Sequence, residues 1–145
     1  MKKFVLAIDL ISAAFFLLFL YTAISKLMHY TEFRLAVAES PMLKPFAGII
    51  SWLLPVTEII VAVLLFFPAT RINGLYGSFF LIIIFTVYLS FMLLFTHDLP
   101  CNCGGAIKNL TWPQHICFNL FLIVIAAAGI LLHKKNQKHV KSVPP

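Results

Sequence analysis

The chain has 145 residues, of which 61% are hydrophobic and 11% charged, with a net charge of +6; an average soluble domain carries roughly 25% charged residues. So little polar material cannot cover a water-exposed surface, and a chain this apolar is not disordered. The apolar residues fall in four blocks, each about as long as the ~20-residue helix that crosses roughly 30 Å of hydrocarbon, so no room is left for a separate soluble domain.

The first block follows Lys2-Lys3 and predicts a helix over about 4–28. It exceeds the usual apolar run of a cleaved signal peptide, about 7–15 residues, and no small-x-small cleavage site follows, so it is read as a retained span. Its acid, Asp9, is expected near the inner surface, snorkelling or paired locally. Next comes a short interfacial helix over about 32–39, with Thr31 as its N-cap, Glu32 in its first turn and Pro41 beyond its end. The second span is expected over 46–67 and contains Pro55 and Glu58. Pro68 to Gly74 reads as a simple turn, and the third span, over 73–96, is uncharged. The fourth runs over 113–132; Thr111 and Gln114 have capping-box spacing, with Pro113 in the first turn. Residues 133–145 form a basic tail.

Runs such as Phe79-Phe80-Leu81-Ile82-Ile83-Ile84-Phe85 do not alternate as barrel strands must. The fold class is therefore all-α: one integral membrane domain, 1–145, built as a four-helix transmembrane bundle. Lys and Arg place the N- and C-termini in the cytoplasm. Lys2, Lys3, Arg71, Lys134, Lys135, Lys138 and Lys141 fall on one side, against Lys26, Arg34, Lys44 and Lys108 on the other. The basic tail then suits a solvated anchor beside anionic headgroups. The positive charge is a topology signal: no basic stripe interleaved with aromatics points to nucleic acid, and the expected partner is the lipid bilayer. Trp52 and Trp112 suit interfacial anchoring.

The third loop reads His97-Asp98-Leu99-Pro100-Cys101-Asn102-Cys103-Gly104-Gly105. Two thiols one residue apart close a small, strained ring, and strained disulfides are the labile ones, which tend to be catalytic or regulatory. Pro100 before the thiols and Gly104 and Gly105 after them favour a tight turn. The expected topology puts this loop outside the cytoplasm, where disulfides persist. Lys108, His97 or the start of the fourth helix favours the thiolate. Cys117 is either a relay for this dithiol or a small apolar residue of a membrane helix. Two rivals share the residues. His97, Cys101, Cys103, His115 and Cys117 could ligate zinc or monovalent copper, although the cysteines lack the spacing of structural zinc sites, and no metal is assigned. The cysteines could also be structural or incidental.

Glu58 is expected near the bilayer midplane, where a carboxylate costs on the order of 3 kcal/mol unless it is protonated, faces the bundle or has a partner. Candidate partners are Lys26, Tyr88, Thr86 and Asn119. Pro55, one turn earlier, frees a backbone carbonyl. A proton-handling or quinone-contacting role and a structural hydrogen bond are both open for Glu58. Lys26 is either its partner or an interfacial anchor.

Three stretches resemble the DoxX-like superfamily of small four-helix bacterial membrane proteins, and within it the MauE branch of redox-associated proteins. They are Tyr21-Thr22-Ala23-Ile24-Ser25-Lys26-Leu27 with Phe33, Val37 and Ser40-Pro41; Leu54-Pro55-Val56-Thr57-Glu58, like the family's P-x-x-E helix; and Cys101-Asn102-Cys103-Gly104-Gly105, like its C-x-C-x-G loop. The resemblance covers about residues 5–132. It departs at Gly104-Gly105, where some relatives carry an aromatic after the second cysteine. It implies an inner-membrane bundle that exchanges thiols and disulfides with a thioredoxin-like or other extracytoplasmic partner while a periplasmic protein matures, and it associates other members with quinone. The rival is a non-catalytic assembly or accessory subunit.

Overall fold

A computed structural model describes residues 2–95 and 112–142. Five α-helices are present among them: α1 (Lys2–Met28), α2 (Tyr30–Glu39), α3 (Ala47–Phe66), α4 (Arg71–Phe95) and α5 (Trp112–Ser142), with a single 3-10 turn, Lys44–Phe46, leading into α3. No strand occurs among the described residues. Four of the helices are long and apolar enough to cross a membrane; α2 is not. This is the expected all-α membrane bundle.

α1 packs along α3, α3 along α4, α4 along α5, and α5 closes the ring on α1. Helices adjacent in sequence are therefore adjacent in space, the up-and-down arrangement that short connections favour. The tightest connection lies between α3 and α4. Pro68 disfavours helical backbone in the residue before it, and Phe67 is extended at φ −83°, ψ 125°. The Thr70 hydroxyl then donates to the Leu64 carbonyl at 3.0 Å. The helices leave this turn in close contact: a Cβ on Gly74 would lie 2.8 Å from the Leu65 backbone nitrogen. Only glycine fits there.

The core is contributed by all four long helices: Phe15 and Phe19 from α1, Val61, Ala62 and Leu65 from α3, Leu75 and Ile82 from α4, and Ala126 and Ile130 from α5. Two buried hydroxyls of α4 return their hydrogens to their own helix, Ser78 to Gly74 at 2.8 Å and Thr86 to Ile82 at 2.6 Å. Lipid offers no hydrogen-bond partner, so this local closure keeps them satisfied. α3 runs unbroken through the buried Pro55.

Four expectations need correction. Thr31 is not the cap of α2: the helix starts at Tyr30, His29 occupies the cap position, and no side chain caps it. The reason is continuity, since His29 N–H still donates to Ser25 at 3.1 Å and Phe33 N–H donates to His29 at 2.9 Å. The α3–α4 turn is shorter than Pro68 to Gly74, because α4 already begins at Arg71. The fourth helix does not end at Leu132, since α5 continues through the basic residues to Ser142. Asp9 pairs with Arg71, 62 residues away, rather than locally. Thr111 and the Trp112 side chain lie outside the described residues.

Candidate functional site

Lys26 lies in the last turn of α1, and a helical side chain leans toward the N-terminus of its own helix. Its ammonium therefore reaches back into the bundle, away from the surface that an anchor would seek. There Lys26 Nζ donates to Glu58 Oε1 at 2.7 Å, and both side chains are only 6% exposed. Reading Lys26 as an interfacial anchor is thus overturned. Of the candidate partners for Glu58, Lys26 makes the ion pair, whereas Thr86 bonds to Ile82 and Tyr88 donates to Ser40 at 2.9 Å.

Two rings flank the ammonium. Lys26 Nζ lies 5.9 Å from the centre of the Phe33 ring on α2 and 5.8 Å from that of Phe85 on α4. Aromatic faces at this range attract a cation without offering a competing acceptor. One ammonium thus contacts α2, α3 and α4 from its base on α1. The carboxylate is satisfied on one side only. The hydroxyl of Thr22 faces Glu58, but its hydrogen goes to the Phe19 carbonyl at 3.1 Å. Glu58 Oε2 is buried and has no hydrogen-bond partner. A buried acceptor left unmade is costly, which is why such atoms draw attention as sites for a proton or a donor group.

Between this ion pair and the α2 end of the bundle lies a second polar cluster. Ser40, fully buried, receives the Tyr88 hydroxyl and approaches Met92 Sδ at 3.6 Å. Ser51, also fully buried, lies 3.3 Å from the Tyr30 hydroxyl, and the Tyr30 ring packs on Trp52 at 5.5 Å. These contacts seat α2 against α3 and α4. Sequence reasoning did not single out Phe33, Phe85, Ser40 or Tyr30 as site components. Only the helical spacing of Phe33 and Val37 from Ser40 hinted that one face of α2 turns inward.

The other predicted site residues divide by location. His97, Pro100, Cys101, Cys103, Gly104 and Gly105 lie outside the described residues. Their place in the chain is between Phe95 at the end of α4 and Trp112 at the start of α5. The opposite end of α5 packs beside the start of α4 and of α1, through Lys134 over Tyr76 at 5.6 Å and Lys135 over Phe4 at 5.4 Å. Phe95 and Trp112 are therefore at the α2 end of the bundle, away from both termini. Cys117 is a free, exposed thiol on α5. Helical spacing puts it on the same outer stripe as the exposed Leu120, Phe121 and Val124, so it faces the lipid side of the bundle.

The family described as methylamine utilisation protein MauE matches this chain over residues 1–132. No curated protein and no solved structure matches it.

Proposed function

This chain belongs to the MauE family, and from that premise we propose that it is a thiol–disulfide exchange component of the bacterial inner membrane, linked as its family's name states to methylamine utilisation. Cys101 and Cys103 form the working dithiol. Both termini are cytoplasmic, and the segment bearing the cysteines is on the extracytoplasmic face. What supports the reading is the C-x-C-G-G stretch in the sequence between the end of α4 and the start of α5, two helix ends that lie opposite the basic start of α1 and end of α5.

The exchange balances without further reagents. A thiolate of one protein attacks a disulfide sulfur of the other and forms a mixed disulfide; the neighbouring thiol then displaces it, so that one protein is oxidised as the other is reduced. The partner is a thioredoxin-like or other extracytoplasmic thiol protein, and the product is a correctly bridged periplasmic client. Cys117, on its outer stripe, is the third thiol available as a relay. For repeated turnover, the two electrons and two protons released by closing the disulfide need an acceptor. A membrane quinone, when bound, supplies that acceptor. The residues that would hold it are Glu58, whose buried Oε2 has no hydrogen-bond partner and would accept one from the quinol hydroxyl, and Lys26, which keeps the carboxylate in place.

Replacing Cys101 and Cys103 by serine tests the reading. Loss of client maturation in the double variant, with the protein still inserted in the membrane, is the expected result. Full maturation without either thiol would instead identify a non-catalytic assembly subunit.

A further inference from the structure

At the end of the bundle where both termini emerge, α5 is too long for the bilayer. Its 31 residues span about 46 Å at 1.5 Å per residue, against roughly 30 Å of hydrocarbon. The last ten residues, from His133 to Ser142, therefore stand at headgroup level as helix. They do not stand free. Lys134 and Lys135 lay their ammoniums over the rings of Tyr76 on α4 and Phe4 on α1, which holds the extension against both helices.

Between this extension and the start of α1 runs a groove of about 470 Å³, lined by Lys2, Val5, Leu6, Asp9, Asn136 and Val140. Its walls are mostly apolar. Val5, Leu6 and Val140 are 43%, 59% and 60% exposed. Lys2 lines the groove, and the bundle end around it is basic: Lys3, Lys134, Lys135, Lys138, Lys141 and Arg71 belong to this end, where Asp9 is the one acid among the described residues. That acid is already neutralised by Arg71. An apolar trough at headgroup depth under uncompensated positive charge matches one ligand chemistry, an acyl chain bearing an anionic head.

We propose that this groove is a binding site for an anionic phospholipid. One acyl chain lies along Val5, Leu6 and Val140, and the phosphate is received by Lys2 and the Asn136 amide. The site is independent of the dithiol, so its failure leaves the redox reading untouched. It differs from diffuse attraction of lysines to a charged surface because it predicts one retained lipid and a dependence on the groove wall.

The test uses the full chain purified in a neutral detergent and offered phosphatidylglycerol or phosphatidylcholine, with bound lipid counted by native mass spectrometry. Phosphatidylglycerol is expected to remain bound at one molecule per chain, several-fold more often than phosphatidylcholine. Val140→Glu, which puts a carboxylate in the groove, should abolish that preference. Gln137→Glu, which adds the same charge to the same helix outside the groove lining, should leave it. Equal retention of the two lipids by the unaltered chain would overturn the proposal, and so would equal loss in both variants. Protection from thermal unfolding by inorganic phosphate as strong as that by phosphatidylglycerol would also overturn it, since the groove would then be a simple anion site.

Discussion

Lys26 lies two residues from the end of α1, a position where composition alone suggests a lysine reaching for the membrane surface. The direction of the side chain decides otherwise, because a helical Cβ leans toward the N-terminus and so carries this ammonium inward to Glu58. Two buried charges are tolerated only together. Lys26→Met or Glu58→Leu alone should therefore cost roughly 3–5 kcal/mol of stability, since each strands the other charge in an apolar interior. The double variant should recover most of that loss; denaturant midpoints of the three proteins in one detergent check it, and a double variant no better than the singles contradicts it. Thr31 supplies a second test at this scale. A true N-cap loses about 1 kcal/mol on truncation, whereas Thr31→Ala here should stay within about 0.5 kcal/mol of the parent, as ordinary surface changes do. Glu58 was legible in the sequence because a lone acid in a long apolar run must be accommodated. Its environment was not: Phe33 and Phe85 are 52 residues apart in a chain with fifteen phenylalanines, and nothing local distinguishes rings that flank an ammonium from rings that face lipid.

The spans are legible as elements because the bilayer fixes their length and forbids unpaired backbone, so hydropathy carries nearly all of the information. Their ends are less so. α4 starts at Arg71 rather than 73 and α5 runs to Ser142 rather than 132, since polarity ends an apolar span without ending a helix. Lys, Gln and Asn in 134–138 continue α5, and two of the lysines pack on rings as they do so. Backbone amides of residues 134–138 should therefore exchange hydrogen slowly, at rates near those of the preceding turn; exchange at random-coil rates would contradict a docked extension. The α3–α4 contact gives a sharper test. Gly74→Ala forces a methyl to within 2.8 Å of Leu65, and overpacking of that kind costs about 1–3 kcal/mol. Gly48→Ala meets nothing within 4 Å, so its stability should equal or exceed that of the parent. The two variants, measured by thermal unfolding, separate a steric requirement from a general dislike of substituted glycine.

The whole molecule is a ring of four long helices with unlike ends. One end holds both termini, the Asp9–Arg71 ion pair and the basic rim. The other holds α2, the Ser40–Tyr88 hydrogen bond and the helix ends between which the cysteines fall in sequence. The Lys26–Glu58 pair lies between these ends and joins α1 to α3. This polarity was visible in the sequence as an asymmetric count of lysines and arginines, because basic residues resist translocation whatever the fold does. The Asp9–Arg71 pairing was not, since a 62-residue separation becomes a contact only once α1 and α4 share a bundle end. The proposed thiol exchange draws on one further feature of this arrangement, a buried carboxylate at Glu58 with one oxygen that has no hydrogen-bond partner. The most direct measurement of that account is the redox state of Cys101 and Cys103 in intact cells, read by differential alkylation after brief oxidant and reductant pulses. The account predicts that the two thiols switch together between a protected and an alkylated state, and that Cys101→Ser or Cys103→Ser alone traps a mixed disulfide with an extracytoplasmic protein. Thiols that remain in one state under both treatments, with no trapped partner in either variant, would contradict it.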